Sequence, residues 1–179
     1  MLHPENTALV LIDVQGKLAT LMHEREALYR SLQILIKGVR ALELPILWLE
    51  QYPKGLGPTI PEVADLLEGG QPIAKTCFSG CGQEEFMEQL RNSGCRQLLL
   101  AGIETHICVY QTARDLLVQD YHVEVVADAV SSRTPENRRI GLERMARAGA
   151  EISSVEMALF ELLREAKGEQ FKEIAGLVK

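Results

Sequence analysis

The sequence contains no long apolar run and no basic cluster. Its longest apolar runs, Ala8–Ile12 and Leu98–Ala101, fall far short of the roughly 20 residues that a transmembrane helix needs. The first residues do not combine a basic region with an apolar stretch, so we expect neither a secretory signal nor a membrane partner. Lys and Arg number 19 against 25 Asp and Glu, a net charge of −6. This balance argues against nucleic acid and favours a small-molecule substrate.

Histidine and cysteine are also scarce, with four of each among 179 residues. A chain of this length buries a core without disulfides, so we expect reduced thiols and a cytoplasmic location. Cys77 and Cys81 have a spacing typical of metal or redox pairs, but no second Cys or His pair accompanies them. We interpret both as structural or pocket-lining, and Cys95 as core or partly exposed.

Short apolar runs alternate with segments of helical periodicity along the chain. This alternation is typical of a parallel sheet covered by helices on both faces, and nothing divides residues 1–179 into more than one domain. The predicted strands are 7–14, 46–49, 71–75, 97–101, 122–127 and 150–152. The predicted helices are 26–44, 61–67, 84–92, 105–119, 134–147, 153–167 and 170–178.

Polar residues at strand ends carry the functional information, because ligands of parallel α/β sheets bind beyond the carboxyl ends of the strands. Asp13 ends the first strand, Lys75 ends the third, and Cys108 follows the fourth. If Thr105 caps the next helix, Cys108 lies in its first turn, where free N–H groups and the helix dipole favour a thiolate. We therefore expect a lowered pKa for the Cys108 thiol, with Asp13 moving its proton.

Each of these residues also has a plainer explanation. An Asp that closes a buried strand often accepts hydrogen bonds in a turn, and a Lys at a strand end is usually solvated. A Cys in a first helical turn is more often a small packing residue. What favours a functional site is that all three residues are expected at the same edge of the sheet. Nearby, we expect His106 at the pocket mouth or an interface, Asp128 in a structural turn, and the arginines of helix 134–147 on a solvated face.

Three segments together resemble the signatures of the isochorismatase-like, or cysteine hydrolase, superfamily. They are LIDVQ at 11–15, AKTCFSG at 74–80 and GIETHICVYQTARDLL at 102–117, and VVADAVSSR at 125–133 is a fourth match. The resemblance covers nearly the whole chain. Two further stretches are similar to the subgroup of isochorismatase domain-containing proteins: EQYPKGLGPTIPE at 50–62 and FKEI at 171–174.

The resemblance implies a three-layer α/β/α sandwich on a six-stranded, mostly parallel, doubly wound (Rossmann-like) sheet. It also implies a catalytic triad of Asp13, Lys75 and Cys108. In the family, a cis peptide bond without proline precedes the nucleophile and directs backbone N–H groups towards the substrate oxygen. Here that bond is expected at Ile103–Glu104, with Glu104 and Cys108 as oxyanion-hole donors. Relatives commonly assemble, so we expect a homo-oligomer.

Our hypothesis is a metal-independent hydrolase of a small amide or related C–N or ester substrate, without a cofactor. Asp13 is the general base, Cys108 the nucleophile, and Lys75 holds the charges in place. The candidate substrate contacts are Gln15, Tyr52 and Phe78. Nicotinamidases of the superfamily hold a metal through an Asp-x-His pair and a further His after the second strand, whereas residues 48–54 here contain no histidine.

Three alternatives stay open. True isochorismatases can lack the cysteine and cleave a vinyl ether with the Asp as acid, so Cys108 favours C–N or ester chemistry. The chain could also be a catalytically idle scaffold that binds partners, or a thiol-based redox protein that uses Cys77 and Cys81.

Overall fold

A six-stranded parallel sheet forms the centre of the computed structural model, which describes residues 1–179. Its strands are β1 (Thr7–Ile12), β2 (Ile46–Gln51), β3 (Ile73–Lys75), β4 (Gln97–Ile103), β5 (His122–Ser131) and β6 (Glu151–Ser153). They lie in the order β3-β2-β1-β4-β5-β6, and every neighbouring pair is parallel. The predicted doubly wound α/β fold is confirmed.

Nine α-helices connect and flank the strands. They are α1 (Gly16–Thr20), α2 (Arg25–Ala41), α3 (Pro53–Leu56), α4 (Pro61–Ala64), α5 (Glu84–Ser93), α6 (Tyr110–Val118), α7 (Pro135–Arg147), α8 (Val155–Leu163) and α9 (Gly168–Leu177). Short 3₁₀ turns occupy Pro4–Asn6 and Gly80–Gly82, and a π-helical turn occupies Thr105–Val109. The sequence did not predict α1 or α3, because one helical turn shows no periodicity. No helix has the length and apolar character needed to cross a membrane.

Two apolar clusters of similar size, 25 and 22 buried residues, cover the two faces of the sheet. Strand β1 shows the cause, because its side chains alternate between the faces. Leu9 and Leu11 join the cluster that contains α2 and α8 residues, whereas Val10 and Ile12 join the cluster of α5 and α6. All six β1 residues are buried, which explains the continuously apolar run in the sequence.

Side-chain caps fix the start of two helices near the predicted positions. The Thr134 hydroxyl accepts a hydrogen bond from the Asn137 N–H and begins α7, as its Thr-Pro sequence predicts. The Ser154 hydroxyl accepts from the Met157 N–H and begins α8, so the capping residue is Ser154 rather than the expected Ser153. Helix α8 ends at Leu163, four residues earlier than predicted.

The strand order reverses between β1 and β4, which places a crevice beyond their carboxyl ends. These two strands approach closely at Gly102, which pairs with Ile12. A Cβ added at Gly102 would lie 2.0 Å from the Ile12 carbonyl oxygen, and the φ of Gly102 is +120°. Only glycine fits this position, directly beneath the crevice.

Candidate active site

The three residues expected at the sheet edge do meet there. Asp13 follows β1, Lys75 is the last residue of β3, and Cys108 lies in the π-helical turn after β4. Lys75 Nζ is 2.7 Å from Asp13 Oδ2, and neither side chain is more than 2% exposed. Since β2 lies between β1 and β3, the lysine side chain spans the end of β2 to reach the carboxylate.

The Lys75 ammonium is fully occupied by oxygen atoms. Besides Asp13, it donates to Gln51 Oε1 at 2.7 Å and contacts the carbonyl oxygens of Cys77 and Phe78 at 3.3 and 3.2 Å. These contacts replace the hydrogen bonds to water that the lysine loses when it is buried. They also leave no ammonium proton for a further ligand.

The second oxygen of Asp13 is unusual, because Oδ1 is buried and has no hydrogen-bond partner. Asp13 lines the cavity together with Cys108. Burial raises the pKa of Asp13 above its usual range, although the charge of Lys75 opposes this effect. The result is a carboxylate with one oxygen anchored and the other available beside a thiol.

The expected low pKa of the Cys108 thiol is wrong. Burial raises this pKa to about 12, and the neighbouring Asp13 carboxylate adds to the increase, whereas Lys75 opposes it only in part. The helix start also differs from the prediction. The residue at the N-cap is Glu104 rather than Thr105, the turn that follows is π-helical, and the buried Thr105 hydroxyl has no partner. Cys108 therefore rests as a protonated thiol.

The segment that precedes Cys108 has a defined backbone arrangement. The Ile103–Glu104 peptide bond is cis. The Glu104 N–H donates no hydrogen bond within the chain. The buried Glu104 carboxylate accepts from the backbone N–H of Arg133 at 3.0 Å and from its Nε at 3.2 Å. Arg133 thus ties the end of β4 to the segment that follows β5.

A small cavity opens beside Cys108. Its volume is about 110 Å³, and it is lined by Asp13, Leu18, Gln51, Leu56, Phe78, Ile103, Glu104, Ile107 and Cys108. Larger grooves of about 250 and 420 Å³ lie near Arg40, but they contain no thiol, hydroxyl or imidazole group. This smaller cavity combines a thiol, Cys108, with the carboxylate of Asp13, so we take it as the candidate active site.

Two of the three expected substrate contacts lie elsewhere. Gln15 is fully buried, and its amide holds the backbone of Gln51 and the carbonyl oxygen of Gly57. Tyr52 has a left-handed backbone and is largely exposed beside Lys54 and Thr76 in a neighbouring surface depression. Phe78 does line the cavity, with its side chain half exposed at the rim.

Sequence reasoning missed the role of Gln51 and of the Glu104 side chain. Gln51 lies at the end of β2 between Asp13 and Lys75, and its Nε2 donates to the Thr76 carbonyl oxygen. Its position at a strand end was a signal of the kind that identified Asp13 and Lys75. Nothing in the sequence pairs Glu104 with Arg133, since these residues are 29 positions apart and belong to different loops.

The remaining cysteines and several polar residues near the site lie outside the cavity wall. All four cysteines are free thiols, and burial raises the pKa of Cys81 to about 12.

Asp128 accepts a hydrogen bond from the Val155 N–H and so fixes the start of α8, as a structural turn residue should. His106 Nδ1 contacts Ser132 Oγ at 3.0 Å and is not part of the cavity wall. Arg138 was expected to be solvated, but it binds the carbonyl oxygens of Val130 and Ala127.

One group of side chains has the composition of a metal site. His122, Glu124 and Glu151 have ligand atoms within 4.8 Å of one another. They lie at the amino ends of β5 and β6, the opposite edge of the sheet from Cys108. His122 Nε2 lies within hydrogen-bonding distance of Glu124 Oε1, at 3.3 Å.

Known proteins resemble this chain over most of its length. The isochorismatase domain family matches residues 7–157. This chain belongs to the isochorismatase family. A curated relative, isochorismatase domain-containing protein 2A of Mus musculus, is 39% identical over 176 residues, which cover 98% of this chain and 84% of the relative. The family expected from the sequence signatures is confirmed.

Two solved structures of the same fold carry different functional descriptions. A protein described as MAR1 ribonuclease from Caenorhabditis elegans is 36% identical, with a TM-score of 0.93, over 99% of this chain and 91% of its own. The YcaC gene product of Escherichia coli, described as an octameric hydrolase of unknown specificity, is 25% identical with a TM-score of 0.93. That match covers 98% of this chain and 88% of the other.

Proposed function

We propose that this protein is a cysteine hydrolase that cleaves a small amide or a related C–N or ester bond. The observation that carries the proposal is the buried Asp13–Lys75 ion pair next to Cys108 at the wall of a cavity. Two charges are costly to bury, and a structural role alone is served as well by apolar residues. A buried pair beside a nucleophile fits a base that is kept ready for proton transfer.

In the first half of the reaction, Asp13 Oδ1 accepts the thiol proton of Cys108 while the sulfur attacks the substrate carbonyl carbon. A C–S bond forms, and the carbonyl electron pair moves to oxygen. The unpaired N–H of Glu104 and the N–H of Cys108 are the proposed donors to this oxyanion. When the intermediate collapses, the C–N bond breaks and the amine leaves with the proton from Asp13.

In the second half, Asp13 accepts a proton from water, and the water oxygen attacks the thioester carbon. Collapse breaks the C–S bond, returns the proton to the sulfur and releases the acid. The high resting pKa of Cys108 fits this order of events, because the thiolate forms only when a substrate is present to accept its charge. The charge of Lys75 opposes the effect of burial on the pKa of Asp13 and so favours the carboxylate that accepts the proton.

The alternatives receive less support from the cavity. A vinyl-ether hydrolase needs an acid but no thiol, whereas Cys108 lines the cavity here. A ribonuclease has to bind a polyanion, but no Lys or Arg lines this cavity and the chain carries a net charge of −6. A redox role for Cys77 and Cys81 leaves Asp13 and Lys75 unexplained. An idle scaffold leaves the buried ion pair without a use.

Assembly and location follow as parts of the same proposal. The Escherichia coli YcaC structure is described as octameric, and we propose that this chain also forms a homo-oligomer. Four free thiols fit a reducing, cytoplasmic location.

The proposal is tested by a screen of small amides and carbamates, followed by chemical inactivation on a hit. Iodoacetamide is titrated against the protein, the extent of Cys108 alkylation is mapped by mass spectrometry, and the remaining hydrolysis is measured. We expect activity to fall in proportion to Cys108 alkylation in both the wild type and a Cys95→Ala control. Full hydrolysis by protein with completely alkylated Cys108 would overturn the proposal.

A further inference from the structure

We infer that the part of the substrate seated beside Cys108 is uncharged and apolar, so that the site selects against both anionic and cationic substrates. This inference rests on the proposed function and narrows its substrate class. It derives from the composition of the cavity wall and from the hydrogen bonds that already occupy the polar groups of that wall.

The wall is mostly hydrocarbon. Five of its nine residues carry alkyl or aromatic side chains: Leu18, Leu56, Phe78, Ile103 and Ile107. They come from four separate parts of the chain, namely α1, α3, the loop after β3, and the end of β4 with the turn that follows it. An ion placed among them loses its hydration without gaining a partner.

The polar groups of the wall have few positions left for a ligand. The Gln51 amide oxygen accepts from Lys75, and its nitrogen donates to the Thr76 carbonyl oxygen. The Glu104 carboxylate is held by Arg133. No hydrogen bond within the chain uses Asp13 Oδ1, Glu104 Oε1 or the N–H of Glu104. Asp13 Oδ1 and the Glu104 N–H are the atoms that the proposed reaction uses.

The charges of the site balance without a ligand. Asp13 is paired with Lys75, and Glu104 is paired with Arg133. No lysine or arginine lines the cavity, so a substrate carboxylate finds no cation and meets two carboxylates instead. A substrate ammonium meets carboxylates whose charges Lys75 and Arg133 already balance, so the free oxygen of Asp13 repays too little of its hydration.

Two pairs of thiol reagents of similar size test this inference on the intact protein. Iodoacetamide and iodoacetate differ by one negative charge. Propyl methanethiosulfonate and 2-aminoethyl methanethiosulfonate differ by one positive charge. The rate of modification of Cys108 is followed by peptide mapping. Each rate is divided by the rate of the same reagent with 2-mercaptoethanol, an uncharged reference thiol, to correct for the intrinsic reactivity of the reagent.

We expect Cys108 to prefer the neutral member of each pair at least about tenfold more strongly than the reference thiol does. Leu56→Arg places a cation at the partly exposed rim of the cavity. It should lower the preference for iodoacetamide over iodoacetate towards the value for 2-mercaptoethanol, whereas Leu56→Gln should leave the preference unchanged. Neutral-to-charged ratios equal to those of 2-mercaptoethanol would overturn the inference and leave the proposed hydrolase intact. Failure of every reagent to modify Cys108 would contradict both, because both need a thiol that small molecules reach.

Discussion

Lys75 Nζ lies 2.7 Å from Asp13 Oδ2, in a pair from which solvent is excluded on both sides. The two residues are 62 positions apart in the chain, and only the parallel sheet brings them together. Because each is buried as the counter-charge of the other, neither is replaceable alone without leaving an unpaired charge in the protein.

Loss of the lysine should therefore destabilise the fold strongly. We expect Lys75→Met to lower the free energy of unfolding by about 3 kcal/mol, since it leaves the Asp13 carboxylate buried without a cation. Lys172→Met is the matched control, because Lys172 forms an exposed ion pair with Glu169 and should cost less than about 0.5 kcal/mol. Urea denaturation at pH 7 measures both, and equal losses in the two variants would contradict the account.

The raised pKa of Cys108 makes stability depend on pH. Below about pH 9 this thiol is protonated in both the folded and the unfolded state and contributes no pH dependence. Between pH 9 and about 12 the unfolded thiol ionises while the buried thiol keeps its proton, so stability falls as the pH rises. Cys108→Ala removes this loss.

Denaturation of the wild type and Cys108→Ala at pH 8 and pH 10 checks the effect. The wild type should lose about 1 kcal/mol more than the variant over this interval. An equal loss of stability in the two proteins between pH 8 and pH 10 would show that burial does not raise the pKa of the Cys108 thiol.

Gly102 should tolerate no side chain. A Cβ at this position would meet the Ile12 carbonyl oxygen at 2.0 Å, so Gly102→Ala has to separate β1 from β4 below the cavity. We expect a loss of more than about 3 kcal/mol or failure to fold. Gly94→Ala is the control, because Gly94 also has a positive φ but nothing within 4 Å, and it should cost about 1–2 kcal/mol. Similar melting temperatures for the two variants would count against the close approach.

Hydrolysis should not depend on a metal ion. The cavity wall contains no histidine, and residues 48–54 contain none either, so the site lacks the imidazole ligands that zinc and iron usually bind. Activity should be unchanged after exhaustive chelation. Loss of activity that is restored by adding a transition metal would show that a metal takes part.

The sequence predicted the fold well, because strands buried on both faces are continuously apolar and stand out between amphipathic helices. It also predicted the meeting of Asp13, Lys75 and Cys108, since parallel strands end at one edge. The sequence did not predict α1 and α3, because a single helical turn is too short to show periodicity and depends on contacts with the rest of the fold.

The local environment of the site was beyond sequence reasoning. The thiol pKa depends on how deeply Cys108 is buried and how close it lies to Asp13, quantities that spacing does not contain. Gln15 looked like a substrate contact because it follows Asp13, but its amide binds the backbone instead. The wall formed by Leu18, Leu56 and Ile107 depends on the positions of three separate segments.

The turnover of Cys108→Ala on a substrate found in the screen decides whether Cys108 is the nucleophile. We expect kcat/KM to fall by at least about a thousandfold, because no other group in the cavity forms the covalent bond, with a similar fall for Asp13→Asn. Cys95→Ala removes a buried thiol outside the cavity and should keep wild-type turnover. A folded Cys108→Ala variant that hydrolyses the substrate at close to the wild-type rate would contradict the account.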